Sequence, residues 1–129
     1  MNLKPIVLLS DYQILRDLIK RNADSRVAKE VKQLSDELDR AIVIKEDELN
    51  KKIIRIGSEV EIEEKKSKRK MKVKLVMPQE ANLAEGKISL FAPLGVALIG
   101  FSEGDEVKWE MPAGTTHLQI LSVNNDDLD

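Results

Sequence analysis

The chain has 129 residues, with 21 Lys plus Arg against 23 Asp plus Glu and a formal net charge of −2. This size admits one or two small domains, and the near-neutral balance argues against a dedicated nucleic-acid binder while leaving room for a local basic patch. The absence of cysteine excludes disulfides, thiolate metal sites and Cys nucleophiles, and Tyr12, Phe91, Phe101 and Trp109 are too few aromatics for a base-stacking platform.

The start, Met1 to Ser10, carries one cation and a short apolar run, Ile6 to Leu9. That run is too short for a signal-peptide core or a membrane span, so a cytoplasmic location is expected. Ser10 with Gln13 three residues on has the form of a capping box. Ile14, Leu15, Leu18 and Ile19 follow at helical spacing. The run Arg21 to Ser25 breaks the pattern, and Asp24 or Ser25 suits the cap of a second helix. In that helix Val27, Val31, Leu34, Leu38 and Ala41 form one narrow apolar seam, as in a two-helix coiled coil. Two antiparallel helices joined by a short turn are expected, the second about 24 Å long at 1.5 Å per residue. Glu46 to Asn50 reads as a linker or a single helical turn.

From Ile53 the period changes to two. Val60 and Ile62 alternate with Glu59, Glu61 and Glu63. After a turn at Glu64 to Ser67, Met71, Val73 and Leu75 alternate with Lys70, Lys72 and Lys74, and Pro78 ends the strand. A loop or weak helix follows to Lys87. Next comes Ile88-Ser-Leu-Phe-Ala-Pro-Leu-Gly-Val-Ala-Leu-Ile-Gly100, a strand end followed by a short apolar helix. Pro93 suits its first turn and Gly100 its C-terminal end. Gly95 interrupts it, which favours a docking element over a buried helix. Gly104-Asp105 reads as a turn into the alternating strand Glu106 to Met111. A Pro112-Ala-Gly114 turn leads to a last strand, His117 to Val123. The expected class is α+β: a helical hairpin over 1–50, a small antiparallel sheet with one short helix over 51–123, and a flexible tail over 124–129.

The block from Ala92-Pro93 through Gly95, Ala97-Leu98, Gly100 and Gly104-Asp105 resembles the C-terminal domain of the bacterial Gre transcript-cleavage factors. Continuing through Trp109-Glu110, Pro112, Gly114 and Thr116-His117-Leu118, it resembles more closely the Rnk group, the regulators of nucleoside diphosphate kinase. Glu37-Leu-Asp-Arg-Ala41, the acidic Glu46-Asp-Glu48 and Ser58 with Val60 form a second matching block. The resemblance implies an FKBP-like sheet domain behind a coiled-coil hairpin. It also implies a partner, RNA polymerase, bound at the rim of the secondary channel. In Gre factors a long hairpin enters that channel, and acidic residues at its tip help hold a magnesium ion for RNA hydrolysis.

Several candidate sites follow. The matching docking loop assigns the polymerase contact to Phe91, Pro93, Leu94 and Val96. At the hairpin tip, Asn22 and Asp24 are the candidates, but the single carboxylate is explained as a helix cap, and the hairpin is shorter than a Gre hairpin. Both features point away from transcript cleavage and towards the Rnk group, which binds polymerase and opposes Gre factors. Lys68, Lys70 and Lys72 are candidates for nucleic-acid contact, although alternating lysines also keep a sheet face soluble and can pair with Glu59, Glu61 and Glu63. His117, the only histidine, reads as a half-buried strand residue rather than a catalytic base.

The expected protein is thus a non-enzymatic transcription regulator without cofactor or metal, monomeric, competing with Gre factors at polymerase. A direct or indirect role in regulating nucleoside diphosphate kinase is the alternative. Less favoured are a true cleavage factor, dependent on Asp24, and a peptidyl-prolyl isomerase, which would need an aromatic-lined pocket.

Overall fold

A computed structural model of the chain describes residues 4–22, 26, 28–45, 52–111 and 114–125. The expected linker at 46–50, the Pro112-Ala113 part of the last turn, and Asp24 lie outside them. No helix among the described residues is long and apolar enough to cross a membrane.

The N-terminal hairpin forms, framed by two short strands. β1 (Ile6–Leu8) runs directly into α1 (Leu9–Arg21), and α2 (Ala28–Asp39) is followed by β2 (Ile42–Ile44). The expected Ser10 cap is not used: Leu8 is the extended residue before the helix, no side chain caps it, and Ser10 lies in the first turn. β1 continues up to the helix and displaces the boundary. The centre of the apolar seam is as expected, with Leu15 and Leu18 of α1 buried beside Val31, Leu34 and Leu38 of α2; Val27 lies outside the described residues, and α2 ends at Asp39, before Ala41 and Ile42. Arg16 ties the helices across the seam. Its guanidinium donates to Ser35 Oγ at 3.1 Å, pairs with Asp39, and lies over the Tyr12 ring at 5.1 Å.

β1 and β2 pair in parallel, Ile6 opposite Ile42 and Leu8 opposite Ile44. Neither strand is long enough to show alternation in the sequence. Their pairing depends on the hairpin bringing residues 6 and 42 together. The Gly100 backbone joins this base to the rest of the molecule: Ile6 N–H donates to Gly100 O at 2.7 Å, and Gly100 N–H donates to Ile54 O at 3.0 Å.

The second part is a five-stranded sheet in the order β5-β4-β3-β7-β6, from β3 (Glu59–Glu64), β4 (Arg69–Val76), β5 (Lys87–Ser89), β6 (Glu106–Met111) and β7 (Gly114–Asn124). It is mixed rather than antiparallel. Two 3-10 turns at Pro78–Glu80 and Leu83–Glu85 carry the chain back, so that β5 joins the edge parallel to β4. Between β3 and β7 the register shifts after Glu61, which opposes Ser122, to Ile62, which opposes Ile120. This bulge leaves Leu121 as the extra residue.

One face of the sheet buries Val60, Ile62, Val73, Leu75, Ile88, Leu118 and Ile120. The short helix α3 (Pro93–Leu98) lies with this core, and one apolar cluster runs from Leu15 and Leu34 through Leu98 to the sheet. The hairpin and the sheet therefore share a core. The expected tail is corrected at its first two residues. Asn124 ends β7, and Asn125 is buried, its Nδ2 donating to Ile53 O at 2.7 Å.

Candidate functional site

The segment from Ser89 to Gly100 is built as a tight strand-to-helix corner. Phe91 N–H donates to Ser89 Oγ and Ala92 N–H to Ser89 O, both at 3.0 Å. Ala92 is extended (φ −67, ψ 148), and Pro93 takes the first helical position, where its missing N–H costs nothing. Gly95 faces the corner: a Cβ there would sit 2.3 Å from Ser89 O. Gly100 ends the helix at φ +84, with Pro5 Cβ 2.6 Å from where its own Cβ would be. The glycines thus serve close backbone approach and helix termination.

This arrangement corrects the expected apolar docking surface. Phe91, Leu94 and Val96 are 4%, 6% and 7% exposed and belong to the core. They are held inward because the corner packs directly over the sheet. Pro93 is exposed, with Ala92 and Ala97 half-buried beside it. What this corner exposes is Pro93 and its small neighbours, on a scaffold shaped by the buried residues.

At the hairpin tip, Asn22 closes α1. Its backbone N–H donates to Ile19 O at 3.1 Å and its Nδ2 to Leu18 O at 2.8 Å. That is ordinary C-terminal capping. Asp24 lies outside the described residues.

Lys68, Lys70 and Lys72 are all exposed, but they occupy two settings. On the strand, Lys70 opposes Glu63, Lys72 opposes Glu61 and Lys74 opposes Glu59, as the alternation suggested. Lys68 sits in the β3–β4 turn in a left-handed conformation (φ 62), with its N–H donating to Glu64 O at 2.8 Å. His117 is exposed on the same polar face rather than half-buried, its Nδ1 3.8 Å from Glu106 Oε2. Lys65 Nζ pairs with Glu106 Oε1 at 2.6 Å, and this hydrogen bond holds the Glu106 carboxyl below its ordinary pKa.

The family described as "Transcription elongation factor, GreA/GreB, C-term" matches residues 49–125, which hold the whole sheet and the Ser89–Gly100 corner. The chain belongs to the GreA/GreB family. Curated relatives agree. It is 34% identical over 126 residues to transcription elongation factor GreA of Hyphomonas neptunium, an alignment covering 92% of this chain and 80% of that one. It is 31% identical over 102 residues to transcription inhibitor protein Gfh1 of Thermus thermophilus, covering 78% of this chain and 64% of that one. Among solved structures, the GreA/GreB factor from Nitrosomonas europaea superposes with a TM-score of 0.74 at 27% identity, over 95% of this chain and 99% of that one.

Within this GreA/GreB member, one buried polar group escaped the sequence reading. Asp11 of α1 is 6% exposed and Arg55 is 9% exposed. Asp11 Oδ2 lies 3.5 Å from Arg55 Nε and accepts from Ile56 N–H at 3.4 Å. Arg55 N–H donates to Ser58 Oγ at 2.6 Å, and Ser58 in turn donates to Asn125 Oδ1. This chain of contacts clasps the hairpin to the sheet domain. A signal for it existed: Asp11 precedes Leu15 and Leu18 by four and seven residues, so it sits on the apolar face of α1. Arg55 likewise interrupts Ile53-Ile54 and Ile56.

Proposed function

We propose that this GreA/GreB member is a Rnk-type regulator. In this reading it binds RNA polymerase at the rim of the secondary channel and competes with Gre factors without stimulating transcript cleavage. Such a factor works in the cytoplasm beside the polymerase. The single observation that carries the reading is the size of the hairpin. α1 has 13 residues and α2 has 12, so its arms extend about 20 Å. A hairpin of that reach occupies a channel entrance and stops short of a distant active site. The likeness to a protein named as a transcription inhibitor points the same way.

Docking is assigned to the exposed Pro93 and the small residues beside it, with Phe91, Leu94 and Val96 shaping the corner from inside. Pro93→Asp is the suitable probe, because an acid at the first helical position is compatible with the helix N-terminus. Leu94→Asp would bury a charge and confound binding with unfolding. Wild-type protein is expected to co-sediment with core RNA polymerase and to be displaced by excess GreA, while Pro93→Asp weakens binding at least tenfold with its melting curve unchanged. Stimulated RNA shortening in stalled elongation complexes, or binding that GreA does not displace, would refute the reading.

A further inference from the structure

The cross-strand register divides the basic run 65–74 into two electrostatically different parts. Lys70, Lys72 and Lys74 each face a glutamate on β3, and Arg69 faces Glu64. The attraction of that ladder for an external anion is largely cancelled at short range. At the turn the glutamates run out. Lys66 and Lys68 are exposed and oppose no acid in the β3–β4 register. Lys66 lines a depression of about 420 Å³ together with Lys65, Thr115, Thr116, His117 and Glu106, and Lys68 lies two residues on in the same turn. The two threonine hydroxyls and the imidazole are hydrogen-bonding groups suited to phosphate oxygens. Backbone geometry fixes the tip against this depression, since Lys65 N–H donates to His117 O at 3.0 Å.

We infer that the β3–β4 tip and this depression form a contact surface for the phosphate backbone of a nucleic-acid strand, centred on Lys66, Lys68 and the Thr115–His117 segment. The chemistry recognised is the phosphodiester, so RNA and DNA are both ligands. Base-specific readout is not part of the inference, because no Phe, Tyr or Trp is among the described lining residues. Glu106 is the internal competitor: paired with Lys65 at 2.6 Å, it occupies a cation that would otherwise face phosphate. The inference goes beyond the proposed polymerase docking, which is assigned to a different part of the molecule, and of the expected nucleic-acid contacts it keeps Lys68 and replaces the strand residues Lys70 and Lys72 with Lys66.

The test is fluorescence anisotropy of the full chain with short labelled single-stranded RNA and single-stranded DNA, without polymerase. Saturable binding to both is expected at about 50 mM salt, weakening towards 200 mM. Lys66→Glu with Lys68→Glu should weaken it roughly tenfold or more and flatten the log–log salt slope by about 1.4, two single-strand phosphate contacts. Glu106→Gln should strengthen it several-fold, a gain that a merely structural role would not produce. Lys70→Gln with Lys72→Gln should have the smaller effect. The inference is overturned by no saturable binding to either oligonucleotide, by a tip variant that binds like wild type, or by preferential binding to phosphatidylserine vesicles. Because polymerase is absent, failure here leaves the docking assignment standing, and failure of Pro93→Asp leaves this one.

Discussion

Asp11→Ala is expected to lower the unfolding free energy by about 3 kcal/mol or more, roughly 10 °C in Tm for a chain of this size. The cause is not the lost attraction. Arg55 is 9% exposed and Asp11 is the carboxylate at its Nε. Removing the acid strands a guanidinium away from water and also leaves the Ile56 N–H without the acceptor it has at 3.4 Å. The paired variant decides between this account and a simple loss of helix packing. Asp11→Ala combined with Arg55→Met removes both charges, and replacing a buried pair by apolar groups is close to neutral. The double variant should therefore recover most of the stability that the single variant loses. Urea unfolding monitored by circular dichroism reads both. A double variant as unstable as Asp11→Ala would show that the cost lies in α1 packing or in the orphaned Ile56 N–H, and would dismiss the ion pair as its source.

Gly95→Ala should be at least as damaging, against the direction that helix propensity gives. Alanine is favoured over glycine inside a helix by about 1 kcal/mol. Here the new methyl would stand 2.3 Å from Ser89 O and 3.3 Å from Leu90 Cα, both backbone atoms. Neither can swing aside like a flexible side chain, so β5 and α3 must separate. Overpacking costs about 1–3 kcal/mol and occasionally more, and a clash with fixed backbone stands at the upper end of that range. Gly104→Ala is the informative control. Gly104 has φ +95 but nothing within 4 Å of where a Cβ would stand, so it should lose only the left-handed penalty, about 1–2 kcal/mol. Thermal melts of the two variants side by side test the distinction. A loss at Gly95 no larger than that at Gly104 would mean that β5 and α3 part at little cost and that close contact does not set the role of Gly95. The Gly95 result also bears on the proposed polymerase docking, since a displaced α3 moves Pro93.

Much of the architecture was readable from local pattern. The 3.6-residue period of Leu15, Leu18, Val31, Leu34 and Leu38 gave the hairpin, because each helix had one face to bury. The two-residue period of Val60 and Ile62 against Glu59, Glu61 and Glu63 gave β3 and its facing lysine strand. Pro93 and Gly100 marked the limits of α3, because ring closure and freedom at positive φ are properties of single residues.

What stayed hidden depended on contacts between distant segments. The three-residue strands β1 and β2 have no period to detect, and they pair only because the hairpin returns residue 42 to residue 6. The parallel entry of β5 depends on the path of the 77–86 connection, which composition does not specify. The apolar run 91–99 gave no indication of which side chains face out. That Phe91, Leu94 and Val96 are interior while Pro93 is exposed follows from the sheet lying beneath the corner. The charge of the basic run was visible, but which lysines face glutamates followed only from strand register. Asp11 and Arg55 carry ordinary charges in the sequence, and only the docking of α1 against residues 53–58 makes them a buried pair. The sequence by itself thus determined the elements whose causes are local: helix period, strand alternation, proline and glycine punctuation. Tertiary structure decided exposure, register and the clasp, because each is a relation between segments that become neighbours only on folding.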